Sequence, residues 1–177
     1  APKTCYSPQE ASREKIWGYA AQLYSLRSKH NWGMGDFGDL HKLVDKSAQQ
    51  GASVIGLNPL HPLYQNNPAH RSPYSPTSRC FLNSLYIDVT RVPNFGHCPA
   101  AQQAIASQEF KAKLDVARNA ELVDYPGVAD IKYQILEILF KDFIDQGKKK
   151  YQKQLAEFSE FKQSQGEDLL RMATFDA

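Results

Sequence analysis

Trp17–Leu40 (WGYAAQLYSLRSKHNWGMGDFGDL), with Ala52–Leu57 (ASVIGL) shortly after it, is the stretch whose reading decides the fold. Trp17 to Arg27 is rich in aromatic and apolar residues and runs into Gly33, Gly35 and Gly38, which reads as a buried strand opening into a glycine-rich loop. From Asp39 to Gln50 the positions Leu40, Leu43, Val44, Ser47 and Ala48 recur at helical spacing. Asp36 or Asp39 is placed to cap the start of this helix, and Gly51 to end it. Ala52–Leu57 is a short, almost unbroken apolar run stopped by Asn58-Pro59, the pattern of a strand covered on both faces in a parallel sheet. Strand, helix and strand within so short a span fit a βαβ unit.

Working outward, Leu60 to Ser84 reads as a long loop carrying Pro62, Pro68, Pro73 and Pro76, with Pro59 just ahead of it. Loops of this length inside compact domains tend to be functional or disordered. Leu85–Val89 (LYIDV) reads as a third short strand. From Gln102 onward the pattern is helical almost to the end. Ile131, Ile135, Ile138, Leu139 and Ile144 form one apolar stripe between charged residues, and Leu155, Phe158 and Phe161 form a second. Lys148–Lys150 reads as a solvated face or a helix end. The polar first residues, with Pro2 and Pro8, read as a linker or a cut end.

Apolar residues make up 42% and charged residues 23% of the 177, which argues against disorder over the whole chain. The 21 Lys and Arg against 19 Asp and Glu leave a net charge of +2, so no electrostatic footprint for nucleic acid or anionic lipid is present. No apolar run approaches the ~20 residues of a membrane span, and the amino terminus does not read as a signal peptide. Cys5, Cys80 and Cys98 are odd in number and widely spaced, so they read as free thiols in a reducing cytosol, and a cytoplasmic location is expected. The five histidines lack ligand spacing, so no metal site is expected.

Three blocks carry a family resemblance. The first is Gln22-Leu23, Leu26-Arg27-Ser28, Asn31-Trp32-Gly33-Met34-Gly35-Asp36-Phe37 and Gly38-Asp39-Leu40. The second is Ile55-Gly56-Leu57-Asn58-Pro59, then Ser72-Pro73-Tyr74-Ser75-Pro76-Thr77-Ser78, then Leu82-Asn83 and Tyr86-Ile87-Asp88-Val89. The third is Val123-Asp124-Tyr125 with Val128 and Lys132, leading into Leu136, Phe140 and Phe143. In this order they resemble the amylomaltases, the 4-α-glucanotransferases of glycoside hydrolase family seventy-seven, from about residue 4 to the carboxy terminus.

The resemblance implies an α/β fold: a partial (β/α)8 TIM-type barrel, its first two or three strands, with a mainly helical insertion subdomain. A whole barrel takes ~250 residues before insertions. The implied organisation is a linker or cut end over 1–14, first strands and loops of the catalytic barrel over 15–94, and a helical insertion subdomain over 95–177. The implied activity is transfer of α-1,4-glucan segments between maltooligosaccharides with retention of configuration. Retention needs two carboxyl groups ~5–5.5 Å apart, one a nucleophile and one an acid that becomes a base. In the family these lie on later barrel strands, so no catalytic residue is expected in this chain and the chain alone is expected to be inactive. No cofactor is implied, and the expected partners are α-1,4-glucans and maltooligosaccharides.

The acids present admit humbler readings. Asp36 and Asp39 flank a helix start, where capping is expected. Asp88 ends an apolar segment, where a structural carboxylate bonded to the neighbouring loop is expected. Asp124 precedes Tyr125-Pro126 as a cap or turn residue. The resemblance makes Tyr74 the stacking platform of the subsite where the bond is cut, with Ser72 beside it. From the residues alone, Tyr74 is equally a ring packed between prolines. Asn58 stands at a position facing the barrel mouth, or makes an Asx turn ahead of Pro59. Trp32 and Asn31 are candidates to line the cleft, while Trp17 and Tyr19 are expected in the core. The alternatives to a glucanotransferase fragment are a non-catalytic maltooligosaccharide-binding module and a helical interaction domain using the two apolar stripes. A parent that hydrolyses, as an α-amylase does, is a nearer variant that the family blocks disfavour.

Overall fold

The structure, a computed structural model, describes residues 15–64, 67 and 70–176; the linker expected over 1–14, Cys5 and Pro68 lie outside the described residues. The chain is mostly helical, with two parallel strands. Strand β1 (Gly18–Ala21) is followed by a 3-10 turn at Leu23–Ser25, helix α1 (Phe37–Gln49) and strand β2 (Val54–Leu57). The strands pair in register from Gly18 opposite Val54 to Ala21 opposite Leu57, with α1 as the crossover.

Helix α1 starts where its capping chemistry dictates. The Asp36 carboxylate accepts the Gly38 and Asp39 N–H groups at 2.9 and 3.1 Å, and Asp39 reaches back to the Asp36 N–H in a capping box. It stops at Gly51, whose φ of 80° lies in the left-handed region that glycine enters without penalty.

Two expectations are corrected around this unit. Trp17 and Tyr19 are not core residues but are 46% and 41% exposed, and Val54 is 50% exposed. The strand pair therefore lacks the covering layers that its apolar sequence was read to imply, because no element among the described residues packs over those positions. The strand read into Trp17–Arg27 is also confined to its first part. At Gln22 the backbone turns into the 3-10 segment, and Leu23 is fully buried.

Leu85–Val89 is not a strand. It forms two 3-10 turns, Ser84–Tyr86 and Val89–Arg91, each started by a side chain that caps the N–H two residues on. Asn83 Oδ1 accepts from the Leu85 N–H at 2.9 Å, and Asp88 Oδ1 from the Thr90 N–H at 3.1 Å. These local bonds compete with a ladder. They also turn Leu85, Tyr86 and Val89 into one buried cluster instead of alternating them across two faces.

A further 3-10 turn, Phe95–His97, leads into four helices: α2 (Pro99–Ala106), α3 (Gln108–Asn119), α4 (Tyr125–Lys150) and α5 (Gln152–Asp176). Helix α4 supplies the centre of the core. Ile131, Ile135 and Leu139, one and two turns apart, are all at most 2% exposed. They join Leu23, Met34 and Phe110 in a single cluster, and each such burial contributes roughly 1.5–3 kcal/mol. Ile138 is only partly buried and Ile144 is 47% exposed, so the expected stripe drifts out of the core at its end. Helix α5 has no buried residue; it touches α4 through Leu155, which packs against Gly147, and through Phe158, whose ring lies 5.9 Å from Phe143 and 6.4 Å from Phe140. It breaks at Gly166, where φ is 58°. Among the described residues, no helix is long and apolar enough to cross a membrane.

Candidate substrate cleft

Because β1 and β2 run parallel, both carboxyl ends open at one side, which is where parallel α/β units gather their functional loops. A cleft of about 710 Å³ lies there, walled by Ala20–Gln22 from one strand end, Gly56–Asn58 from the other, and Tyr74. That volume falls within the range typical of small-molecule sites.

Tyr74 is 69% exposed. Its loop is tied at the base, where the Thr77 N–H and hydroxyl both donate to the Pro62 carbonyl at 3.0 and 3.2 Å. Prolines on either side limit the loop further, and the ring also faces a smaller hollow of about 240 Å³ lined by Pro59, Pro73 and Pro76. Contact with prolines and exposure to the cleft thus coexist at this ring. Ser72 is exposed at the start of the same loop, and its carbonyl accepts the Ser75 N–H at 3.2 Å.

Asn58 is 7% exposed and joins the two strand ends. Its Oδ1 accepts the Leu23 N–H at 2.8 Å, and its Nδ2 donates to the Pro59 carbonyl at 2.8 Å and to the Tyr86 hydroxyl at 3.2 Å. Both amide hydrogens are therefore spent inside the protein, and Oδ1 alone keeps accepting capacity. Trp32 does not line the cleft. It is 5% exposed and packs edge-on against Phe110 at 5.2 Å, because α3 holds the first loop down. Arg118 of α3 donates to the Asn31 carbonyl at 2.8 Å, and Arg27 bridges the Gly33 and Ala120 carbonyls at 2.8 and 3.1 Å. Asn31 is buried as well and donates to Asp39 at 2.7 Å.

Where α4 meets the head of α1 and the 3-10 turn at Ser84–Tyr86 sits a buried charge cluster that reading the sequence did not bring together. Lys132, 1% exposed on α4, donates to the Leu85 and Ile87 carbonyls at 2.7 and 2.9 Å and lies 3.8 Å from the Asp36 carboxylate. Burial pulls the Lys132 ammonium below its ordinary range against the attraction of Asp36, Asp88 and Asp39. Burial likewise raises the Asp36 carboxyl, opposed first by Lys132. The sequence signal was a lone Lys beside Ile131 in the apolar register of α4, a position that a solvated lysine would avoid.

The four acids weighed as catalysts are occupied as caps. Asp36 and Asp39 form the capping box, Asp88 receives the Thr90 N–H and hydroxyl, and Asp124 receives the Gly127 N–H at 3.2 Å at the head of α4.

A second cleft of about 450 Å³ adjoins the first. The two share Gln22 and Ser25, and the second is bounded by Arg71, Glu121 and Tyr125. Burial, with Tyr86 and Tyr24 nearby, pushes the Tyr125 phenol up to about 12.

The sequence profile of the 4-alpha-glucanotransferases, glycoside hydrolase family 77, matches residues 21–177. The chain is 40% identical over 176 residues to a 4-alpha-glucanotransferase of Haemophilus influenzae, covering 99% of this chain and 25% of that protein. It is 41% identical over 99 residues to a 4-alpha-glucanotransferase of Mycobacterium tuberculosis, covering 52% of this chain and 14% of the relative. The crystal structure of amylomaltase from Corynebacterium glutamicum superimposes with a TM-score of 0.78 at 30% identity, covering 93% of this chain and 22% of that one. The chain thus spans about a quarter of the length of the Haemophilus relative.

Proposed function

Because the chain belongs to glycoside hydrolase family 77, the 4-alpha-glucanotransferases, we propose that it forms the amino-terminal part of such an enzyme and builds one wall of its glucan cleft. In this reading β1 and β2 are the first strands of a (β/α)8 barrel within residues 15–94, and residues 95–177 are a helical layer inserted beside it. The whole enzyme transfers α-1,4-glucan segments between maltooligosaccharides in the cytoplasm, with retention of configuration and without a cofactor.

The observation that supports this best is Tyr74, a largely exposed aromatic ring on a proline-stiffened loop at the carboxyl ends of two parallel strands. The apolar face of a glucose ring suits such a platform, while the sugar hydroxyls take the polar rim, with Ser72 beside the ring. Asn58 acts mainly by holding the strand ends together, since its donors are consumed internally. The engagement of Asp36, Asp39, Asp88 and Asp124 as caps supports a nucleophile and an acid/base supplied by other parts of the enzyme. On this reading the chain on its own is expected to be inactive.

The test is disproportionation of maltotriose, followed by released glucose, in the 177-residue chain, in the whole enzyme and in its Tyr74→Ala variant. Activity is expected only in the whole enzyme. Loss of the platform lowers kcat/KM by roughly thirtyfold, the effect of about 2 kcal/mol of lost contact. Turnover by the 177-residue chain itself, or an unaltered Tyr74→Ala enzyme, overturns the reading. Binding without turnover in the whole protein would identify a maltooligosaccharide-binding module instead.

A further inference from the structure

The two carbonyls that the buried Lys132 ammonium holds, Leu85 at 2.7 Å and Ile87 at 2.9 Å, belong to the residues on either side of Tyr86. Charge-assisted bonds to both fix the backbone from which the Tyr86 side chain starts. The same segment is seated from a second direction. Gly38, at the head of α1, lets the Asp88 carboxylate lie against it, where any side chain would collide. Lys132 also lies 3.8 Å from Asp36, which caps that helix end. The lysine of α4 thus stands between the turn that carries Tyr86 and the helix that crosses from β1 to β2. Replacing a buried ion pair by apolar residues of similar volume is often neutral for stability, which leaves placement as the use of this one.

From that placement Tyr86 reaches the cleft wall. Its ring is buried against Phe37, with centroids 5.8 Å apart, and its hydroxyl accepts from Asn58 Nδ2 at 3.2 Å. Asn58 lines the cleft just after β2, and its Oδ1 accepts the Leu23 N–H at 2.8 Å, two residues beyond β1. Resting on the reading of this cleft as the glucan site, we infer that Lys132 is a positioning residue for the transfer reaction. It sets Tyr86, the Tyr86 hydroxyl sets Asn58, and Asn58 fixes the two strand ends against the bound sugar. The stacking platform is anchored separately, through Thr77 on the Pro62 carbonyl. Loosening the relay therefore misaligns the strand ends while Tyr74 stays in place. Small misplacements around reacting groups are costly to rate, so the loss falls on kcat and spares KM.

The experiment measures maltotriose disproportionation by the whole enzyme in wild type, Lys132→Met, Tyr86→Phe, the double variant and Tyr74→Ala, with urea midpoints read alongside. Tyr86→Phe keeps the ring and removes only the hydroxyl. It is expected to lower kcat about three- to tenfold, the effect of one lost neutral hydrogen bond, with KM within about twofold of wild type. Lys132→Met is expected to lower kcat by a similar factor alone, and by less than about twofold further when added to Tyr86→Phe. Its drop in urea midpoint persists in both backgrounds. A residue that only supports the fold shifts the midpoint and leaves the kcat of the folded enzyme alone. An unaltered kcat in either single variant, a loss carried by KM alone, or equal falls from Lys132→Met with and without the hydroxyl overturns the relay. If Lys132→Met does not fold, the same coupling is read in Lys132→Arg, and an unaltered Tyr86→Phe enzyme is decisive by itself. If the relay fails while Tyr74→Ala is impaired, the reading of the cleft as the glucan site survives. If the coupled loss of kcat is found while Tyr74→Ala is unimpaired, the platform reading fails and the relay stands.

Discussion

The helical layer and the strand pair both carry apolar residues made for burial, yet only one of them is covered. In the helical layer Phe110, Ile131, Ile135 and Leu139 are each at most 2% exposed, while Trp17, Tyr19 and Val54 of the strand region are between 41% and 50% exposed. Parallel strands are normally buried on both faces. Helices α2 to α4 bury their stripes against one another and against the first loop, so their pattern is answered within the chain. Among the described residues, no element covers the exposed positions of the strands. That contrast fits a chain spanning about a quarter of its Haemophilus relative. It also shows that an apolar run reports what a segment is made to meet, rather than what meets it here.

The comparison is broken or sharpened by substitution, beginning where the effect should be greatest. Lys132→Ala removes the cation that ties α4 to the Leu85 and Ile87 carbonyls and to Asp36. It should cost about 3–5 kcal/mol of unfolding free energy, read from urea midpoints. The sign with pH is definite. Native Lys132 holds its proton less tightly than the unfolded lysine, whose ordinary value is 10.5, so just below 10.5 the unfolded state binds more protons. Stability contributed at this site therefore rises with pH in that window, by at most about 1.4 kcal/mol per unit. The wild-type lead over Lys132→Ala should widen from pH 8 to 10; a constant lead would mean that burial does not govern this lysine.

Next in size is Ile135→Ala at the centre of α4, where about 2–5 kcal/mol should be lost through transfer and cavity terms. Smallest is Val54→Ala on β2. Half exposed and covered by no layer, Val54 should cost less than about 1 kcal/mol in this chain. In the whole enzyme, if the strand is covered there, the same change should approach the α4 value. Equal costs for Val54→Ala in the two settings would remove the contrast between the regions.

Much of the fold was legible where the signal is local. The α1 helix, read over Asp39–Gln50, runs over Phe37–Gln49, because a capping box and a glycine stop are side-chain and backbone chemistry within a few residues. Likewise Ala52–Leu57 contains β2. Leu85–Val89 misled because β-type residues outweighed Asn83 and Asp88, whose capping of the following N–H groups bent the chain into 3-10 turns. At the cleft, Tyr74 was legible as an aromatic held between prolines. Trp32 was not, since nothing in its neighbourhood says that Phe110, far along the chain, will cover it.

By itself, the sequence determined the family, the helix caps, the strand–helix–strand opening and the helical character of the rest, all carried by short-range spacing and motif order. Tertiary structure alone decided that Lys132 would be buried beside Asp36, that Asn58 would spend its donors joining two strand ends, and that two clefts would meet at Gln22 and Ser25. The physical reason is one of range. Caps and periodicity act over a turn or two of backbone, whereas burial, charge pairing and cleft walls depend on residues that only packing brings within a few ångströms.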